Sequence, residues 1–415
     1  MPAIPHCQRL PNGITLIVTP SNTTDIVAGR IFIKAGSYFD PVDRSGTSNL
    51  TASLLTKGTT ELSAIEIASR IESVGAGVSA EANNDHIEIG FKSVTADFAD
   101  ILRLVGEIIQ NPVFPAEQVA LEKKLVIERI RFQAERPLTL AFQQLRESVY
   151  HSHPYARPLL GISSNVMNIN RQELVDFHRT YFRPDLVTIS IAGNVDLTLV
   201  EQLIDEVFID WFLPAAPAPA ITPHLIEALA QQQTLAKNTK QSIVMLGHLS
   251  VAATDPDYFA LRAIDSYLGS GLSSRLFVEL REKRGLAYEV ASVFSTKVDR
   301  SIFAVYMGTA NEKVSMAING LQGEMARLCV AKLSEEELTD TKTKLLGKYA
   351  LSKQTNGQLA YVYGWYESLG LGWDFDQTLT KSINALTPEE IEHVAVKYFD
   401  RPYHLSVVGG LSSSG

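Results

Sequence analysis

The sequence predicts an α+β fold made of two homologous halves, each a mixed, mostly antiparallel sheet backed by helices. Three observations carry this. Short runs of alternating hydrophobicity are interspersed with longer runs of helical period. A distinctive order of signals recurs: Ile169–Phe182, read as a capped helix, ends in Tyr-Phe, passes Arg-Pro and enters a strand ending at glycine. Leu386–Phe399 does the same, with Tyr181 and Tyr398 217 residues apart. Between the two copies, residues 211–223 read W-F-L-P-A-A-P-A-P-A-I-T-P, whose prolines favour extended, semi-rigid chain. The predicted organisation is a first half over 1–210, a linker over 211–240 and a second half over 241–415.

Leu10–Val18 is predicted as a strand entered through an Asn-Gly turn, and Val27–Gly36 as a second, alternating strand. The stretch Ser45–Thr59 reads as a helix opening. Another helix begins at Ser63, which with Glu66 forms a capping box; Ile67, Ile71 and Val74 give it an apolar side and Gly75 ends it. Val78–Val94 is predicted as a hairpin turning at Asn83-Asn84-Asp85. Helices are expected at about 96–110, 115–136 and 138–150, the last two separated at Pro137. Leu186–Ala192 is apolar enough for a strand buried on both faces, and a helix over 197–209 closes the first half. The run from Asn111-Pro112 is echoed from Leu333 onward, which strengthens the duplication.

Composition narrows the function. The chain has 415 residues, 45% of them hydrophobic, which is ample for large cores. The net charge of −9 and the lack of a basic block argue against nucleic acid as a partner. The N-terminus shows no charged and apolar leader, and no apolar run approaches the roughly 18 residues that span a membrane. Cys7 and Cys329 are read as reduced thiols, which suits a cytoplasmic protein.

The chemistry turns on Ser45–Thr59. Positions 49, 52 and 53 stand at i, i+3 and i+4 and share one helical face, where an H-x-x-E-H helix places two imidazoles and a general base. Here they are Asn49, Ala52 and Ser53, and none serves as a zinc ligand or base in that role. Gly36–Asp40 (G-S-Y-F-D) precedes this stretch and Leu55–Thr59 (L-T-K-G-T) closes it. In the second half, Leu268–Tyr288 reads L-G-S-G-L-S-S-R-L-F-V-E-L-R-E-K-R-G-L-A-Y.

These segments resemble the zinc peptidase family of pitrilysin, insulysin and the mitochondrial processing peptidase, over nearly the whole chain. The resemblance implies two similar halves enclosing a peptide chamber. It also implies a third zinc ligand some seventy-odd residues beyond the motif, where Glu128 lies 75 residues past Ser53. A single carboxylate without imidazoles holds no useful zinc, so Glu128 reads better as a solvated helix carboxylate. The other histidines are scattered, and no metal is expected on this chain. The resemblance further implies that Arg281 and Tyr288 reach toward the zinc of an opposite half, hold the substrate backbone and stabilise a developing oxyanion. The alternatives are a surface cation and a core aromatic. Gly269 and Gly271 occupy a Gly-rich turn associated in the family with substrate handling. No G-K-[ST] follows, so a phosphate loop is disfavoured.

The expected function is the non-catalytic subunit of a heterodimeric zinc endopeptidase, inactive alone, with zinc on an H-x-x-E-H partner subunit and peptides as substrates. The alternatives are a non-proteolytic structural subunit, like the core subunits of the respiratory cytochrome complex, and a peptide-binding homodimer.

Overall fold

The computed structural model describes residues 4–219, 221–222, 224, 226 and 230–410. In chain order the first half carries β1 (His6–Arg9), β2 (Thr15–Pro20), β3 (Ile26–Ile33), α1 (Thr47–Leu54), α2 (Ala64–Ser73), β4 (Gly77–Ala82), β5 (Ile87–Val94), α3 (Phe98–Gln110), α4 (Ala116–Ala134), α5 (Pro137–Tyr150), α6 (Ser163–Asn168), α7 (Arg171–Tyr181), β6 (Val187–Gly193) and α8 (Leu197–Phe208). The second carries β7 (Gln231–Ala236), β8 (Gln241–Leu249), α9 (Tyr258–Gly269), a π-helical segment (Phe277–Lys283), β9 (Glu289–Phe294), β10 (Ile302–Ala310), α10 (Val314–Val330), α11 (Glu335–Leu351), α12 (Asn356–Ser368), α13 (Phe375–Ala385), α14 (Pro388–Phe399) and β11 (His404–Gly409).

The first sheet has the order β1-β2-β6-β3-β5-β4, the second β7-β11-β8-β10-β9. Setting β1 aside, the order is the same, strand for strand. In each sheet one pair is parallel, β2 with β6 and β7 with β11, and the remaining pairs are antiparallel. The repeated capping boxes are present: Asn170 with Glu173 opens α7, and Thr387 with Glu390 opens α14. The expected burial of β6 on both faces holds, since every residue from Val187 to Gly193 is buried. The Ser63–Glu66 box is also formed.

The first predicted strand begins later than expected, at Thr15, beyond the expected Asn-Gly turn. Leu10–Ile14 is a turn: Leu10 N–H donates to Ile14 O at 2.8 Å, and Gly13 takes φ +100°. This turn folds β1 back on β2 as a hairpin. Gly13 opposes Asp185 so closely that a Cβ would lie 3.2 Å from its backbone, so tertiary packing selects the turn.

The chain forms two compact units that interleave in sequence. One comprises 1–130, 157–223 and 351–376, the other 131–156, 224–350 and 377–415. Segments carrying α5 and α12 therefore cross between the halves. In the first unit, α12 packs on β3 and β6. Gly364 makes this possible, because a Cβ there would lie 2.6 Å from the Phe32 ring and 2.8 Å from Ser190 Cβ. In the second, α5 packs on β8 and β11. Gly247 on β8 admits Leu145, and Ser148 Oγ bonds His404 Nδ1 at 2.6 Å. The Pro-rich stretch runs along the first unit, where Arg183 donates to Ala216 O at 2.8 Å and Tyr38 to Thr222 O at 2.7 Å. Residues 220 and 223 of that stretch, and 225 and 227–229 of the expected linker, lie outside the described residues.

Candidate functional site

The motif helix α1 is set by an acidic anchor. The Asp40 carboxylate accepts from Gly46 N at 2.7 Å and Ser48 N at 2.8 Å, satisfying two donors of the first turn. Gly46 turns the chain into the helix at φ +99°. Burial pushes the Asp40 carboxyl up to about 6, against the lowering effect of these two donors and of Arg157. G-S-Y-F-D thus has a structural task, which is to aim α1.

On α1, Asn49, Ala52 and Ser53 share one face as predicted. Asn49 is 8% exposed, and its Oδ1 has no hydrogen-bond partner among the described residues. Ala52 joins the hydrophobic core, and the Ser53 hydroxyl donates to Asn49 O at 2.9 Å. Leu50 and Leu54 share a cluster with Val126 of α4, so Glu128, two residues on, rides a helix packed against α1; its side chain is exposed. The chemistry of the motif positions on α1 does not fit zinc: an amide, a methyl and a hydroxyl replace two imidazoles and a base. Among the described residues, no three His, Cys, Asp or Glu side chains converge into a metal-holding group.

Arg281 and Tyr288 lie in the second unit, on the π-helical segment and at the entry to the edge strand β9. A π-helical stretch is rare and frequently marks a functional site. Three arginines of this stretch differ sharply. Arg275 Nε bonds Glu324 Oε2 at 2.9 Å and Arg284 Nη2 bonds Glu324 Oε1 at 3.3 Å, with Glu324 only 4% exposed. Arg281 is exposed and joins no carboxylate among the described residues; its Cζ lies 4.9 Å above the Phe277 ring. Two arginines thus fasten the segment to α10 and the third stays available. Tyr288 is 56% exposed, which excludes the core-aromatic alternative, while its N–H donates to Gly308 O at 2.8 Å. Between them, Leu286 is buried and its N–H donates to Leu280 O at 2.9 Å, which fixes the loop.

Comparison with known proteins identifies the family. The family profile described as "Insulinase (Peptidase family M16)" matches residues 16–163, and "Peptidase M16 inactive domain" matches 168–345. The chain belongs to peptidase family M16. Proteins named uncharacterized zinc proteases resemble this M16 chain: one from Streptomyces coelicolor is 26% identical over 97% of this chain and 89% of its own length. One from Bacillus subtilis is 25% identical over 97% of each. The crystal structure of a peptidase M16 inactive domain from Pseudomonas fluorescens superposes with a TM-score of 0.92 at 24% identity, covering 99% of each chain. A protease from Helicobacter pylori gives 0.90 at 21%, covering 98% of this chain and 99% of its own. Both carry the same fold.

In this M16 chain, Gly269 and Gly271 have steric reasons to be glycine. A Cβ at Gly269 would lie 2.0 Å from Ser292 N, so the end of α9 could not meet β9. Gly271 adopts φ +84°. His153, one of the scattered histidines, is buried and bonds Asp299 Oδ2 at 3.1 Å, a structural pair. The anchor Asp40 carried a signal in the sequence, its fixed place in G-S-Y-F-D, but its helix-aiming role needed coordinates. No helix among the described residues is long and apolar enough to cross a membrane.

Proposed function

We propose that this M16 chain is the non-catalytic subunit of a heterodimeric zinc endopeptidase, cytoplasmic and inactive alone. The partner, a homologous chain with intact H-x-x-E-H, holds the zinc, which supplies an activated water and a Lewis acid. This chain contributes Arg281 and Tyr288. The guanidinium and the phenol donate to the backbone carbonyl of a bound peptide, and those bonds strengthen as its oxygen gains charge. Gly269 and Gly271 shape the turn that leads into this segment.

One observation carries the reading. Arg281 stays exposed and unpaired among the described residues in a stretch where Arg275 and Arg284 are tied to Glu324. Meanwhile the motif helix has no ligands to offer. An exposed donor pair in a chain whose own metal positions are lost suits a two-chain active centre.

The test is cleavage of a reporter peptide by the chain mixed with an H-x-x-E-H subunit from the same genome. The mixture is expected to cleave and this chain alone is not. Arg281→Ala is expected to lower kcat/KM by about a hundredfold to a thousandfold, as loss of one oxyanion donor does, with Tyr288→Phe acting in the same direction. Stable assembly with no change in either variant sinks the complementation and favours a structural subunit. Self-association with no affinity for such a partner favours the peptide-binding homodimer.

A further inference from the structure

A cavity of about 630 Å³ lies in the first unit, on the sheet face opposite its hydrophobic core. The helix α12 packs on β3 and β6, and the cavity opens beside it over β5 and β4. Its floor is bare because of residue choice. The register aligns Ala28, Lys92 and Gly77 in one row and Arg30, Gly90 and Ser79 in the next. Three of these six positions are glycine or alanine, which leaves room for the long side chains of Arg30 and Lys92 to lie along the pleat.

Both charged residues lining the cavity are cations. Arg30 lies across Gly90, where a Cβ would come within 2.4 Å of its Nη1. That Nη1 also meets Glu88 Oε1 at 2.7 Å, while Nε is buried without a partner among the described residues. Lys92 stretches over Gly77, its Cε 3.5 Å from where a Cβ would sit. It is exposed and joins no carboxylate among the described residues. Ile26 and the first residues of α12, Thr355 to Gln358, form the rim. In a chain of net charge −9, a roomy hollow whose lining charges are a spare ammonium and a partly satisfied guanidinium selects for an anion. The apolar wall and the volume, within the usual ligand range of about 300–1,000 Å³, suit a carboxylate attached to organic bulk.

We propose that this cavity binds a carboxylate of a peptide, with Lys92 and Arg30 as its cationic partners and the Gly77–Gly90 floor receiving the adjoining residue. The proposal rests on the peptide-handling reading above and adds a preference for acidic peptides. The carboxylate belongs either to a chain terminus or to an Asp or Glu side chain.

The test uses the full chain and three labelled hexapeptides followed by fluorescence polarisation. One has an internal Glu and an amidated C-terminus, one has Gln and a free C-terminus, and one has Gln and an amide. At least one of the first two is expected to bind about tenfold or more tighter than the neutral third, and the arm that does so identifies the source. Lys92→Glu, an exposed substitution, is expected to abolish that advantage without changing the neutral peptide's affinity. Gly77→Leu, which fills the floor, is expected to weaken the favoured peptide with the melting temperature monitored in parallel. Equal affinity for all three peptides, or indifference to Lys92→Glu, overturns this site and leaves peptide handling standing. Absence of binding by all three overturns this site too, and cleavage by the two-chain mixture then shows whether the wider reading survives.

Discussion

Desolvation holds the imidazoles of His86, His178, His248 and His404 far below the ordinary value, at about 3, 4, 4 and 4. In the unfolded chain they titrate near 6.5. Between these values the unfolded state binds more protons, so their contribution to stability is complete above about pH 6.5 and is lost as pH falls toward 4. Each group adds a slope of up to about 1.4 kcal/mol per pH unit. Asp40 acts with the opposite sign. Its folded value of about 6 lies above the ordinary 3.8 of an aspartate, so its contribution is present below about pH 4 and is lost as pH rises through 6. On acidification from pH 6 to 4 it therefore opposes the histidines. Urea midpoints measured from pH 7 to 4 are expected to fall, and Asp40→Asn, which removes the opposing effect, is expected to steepen the fall. A wild-type midpoint that stays level down to pH 4.5 contradicts neutral buried imidazoles. None of this was readable from the sequence, where the histidines look scattered, because their environments are assembled from distant segments.

The α9–β9 corner shows how a short Gly-containing turn serves an element. Gly269 is needed because α9 ends against the backbone of Ser292, and Gly271 because the turn requires a positive φ. Gly269→Ala is expected to destabilise by about 1–3 kcal/mol through forced displacement, and Gly271→Ala by about 1–2 kcal/mol through left-handed strain. Thermal melting of the isolated chain reads both. If both melt like the parent while cleavage by the two-chain mixture falls, the glycines act on substrate. The helices themselves were legible: α2, α3, α4, α5, α7, α8 and α14 fall within a few residues of their expected bounds, since caps and apolar period are local. Residues 356–368 give a weaker signal. Tyr361, Gly364 and Trp365 carry no clear amphipathic stripe, because α12 is shaped to cross a sheet whose strands come from elsewhere in the chain.

At the level of the whole chain, duplication and interleaving have a joint consequence. The β2–β6 sheet is covered by α12 from the second half, and the β7–β11 sheet by α5 from the first. A chain cut within residues 214–219 gives two fragments that each lack one covering helix. Neither fragment is expected to show a cooperative melt alone, because an apolar sheet face remains in water. Mixing or co-expression is expected to restore one cooperative transition. Independent cooperative folding of either fragment contradicts the exchange. The repeat predicted two halves, and both sheets bear that out in strand order. It did not predict that a helix from each half packs with the other half's strands.

The sequence by itself determined the family, the duplicated α+β architecture, the missing imidazoles at Asn49 and Ser53, and the survival of Arg281 and Tyr288. Those are statements about residue identity and local period, which need no neighbours. Only the tertiary structure decided that Asp40 aims the motif helix, that Arg281 joins no carboxylate among the described residues while Arg275 and Arg284 are bound to Glu324, and that Lys92 and Arg30 share a hollow floored by Gly77 and Gly90. Availability and enclosure are properties of what lies nearby in space, and in this chain those neighbours are often tens to hundreds of residues away in sequence.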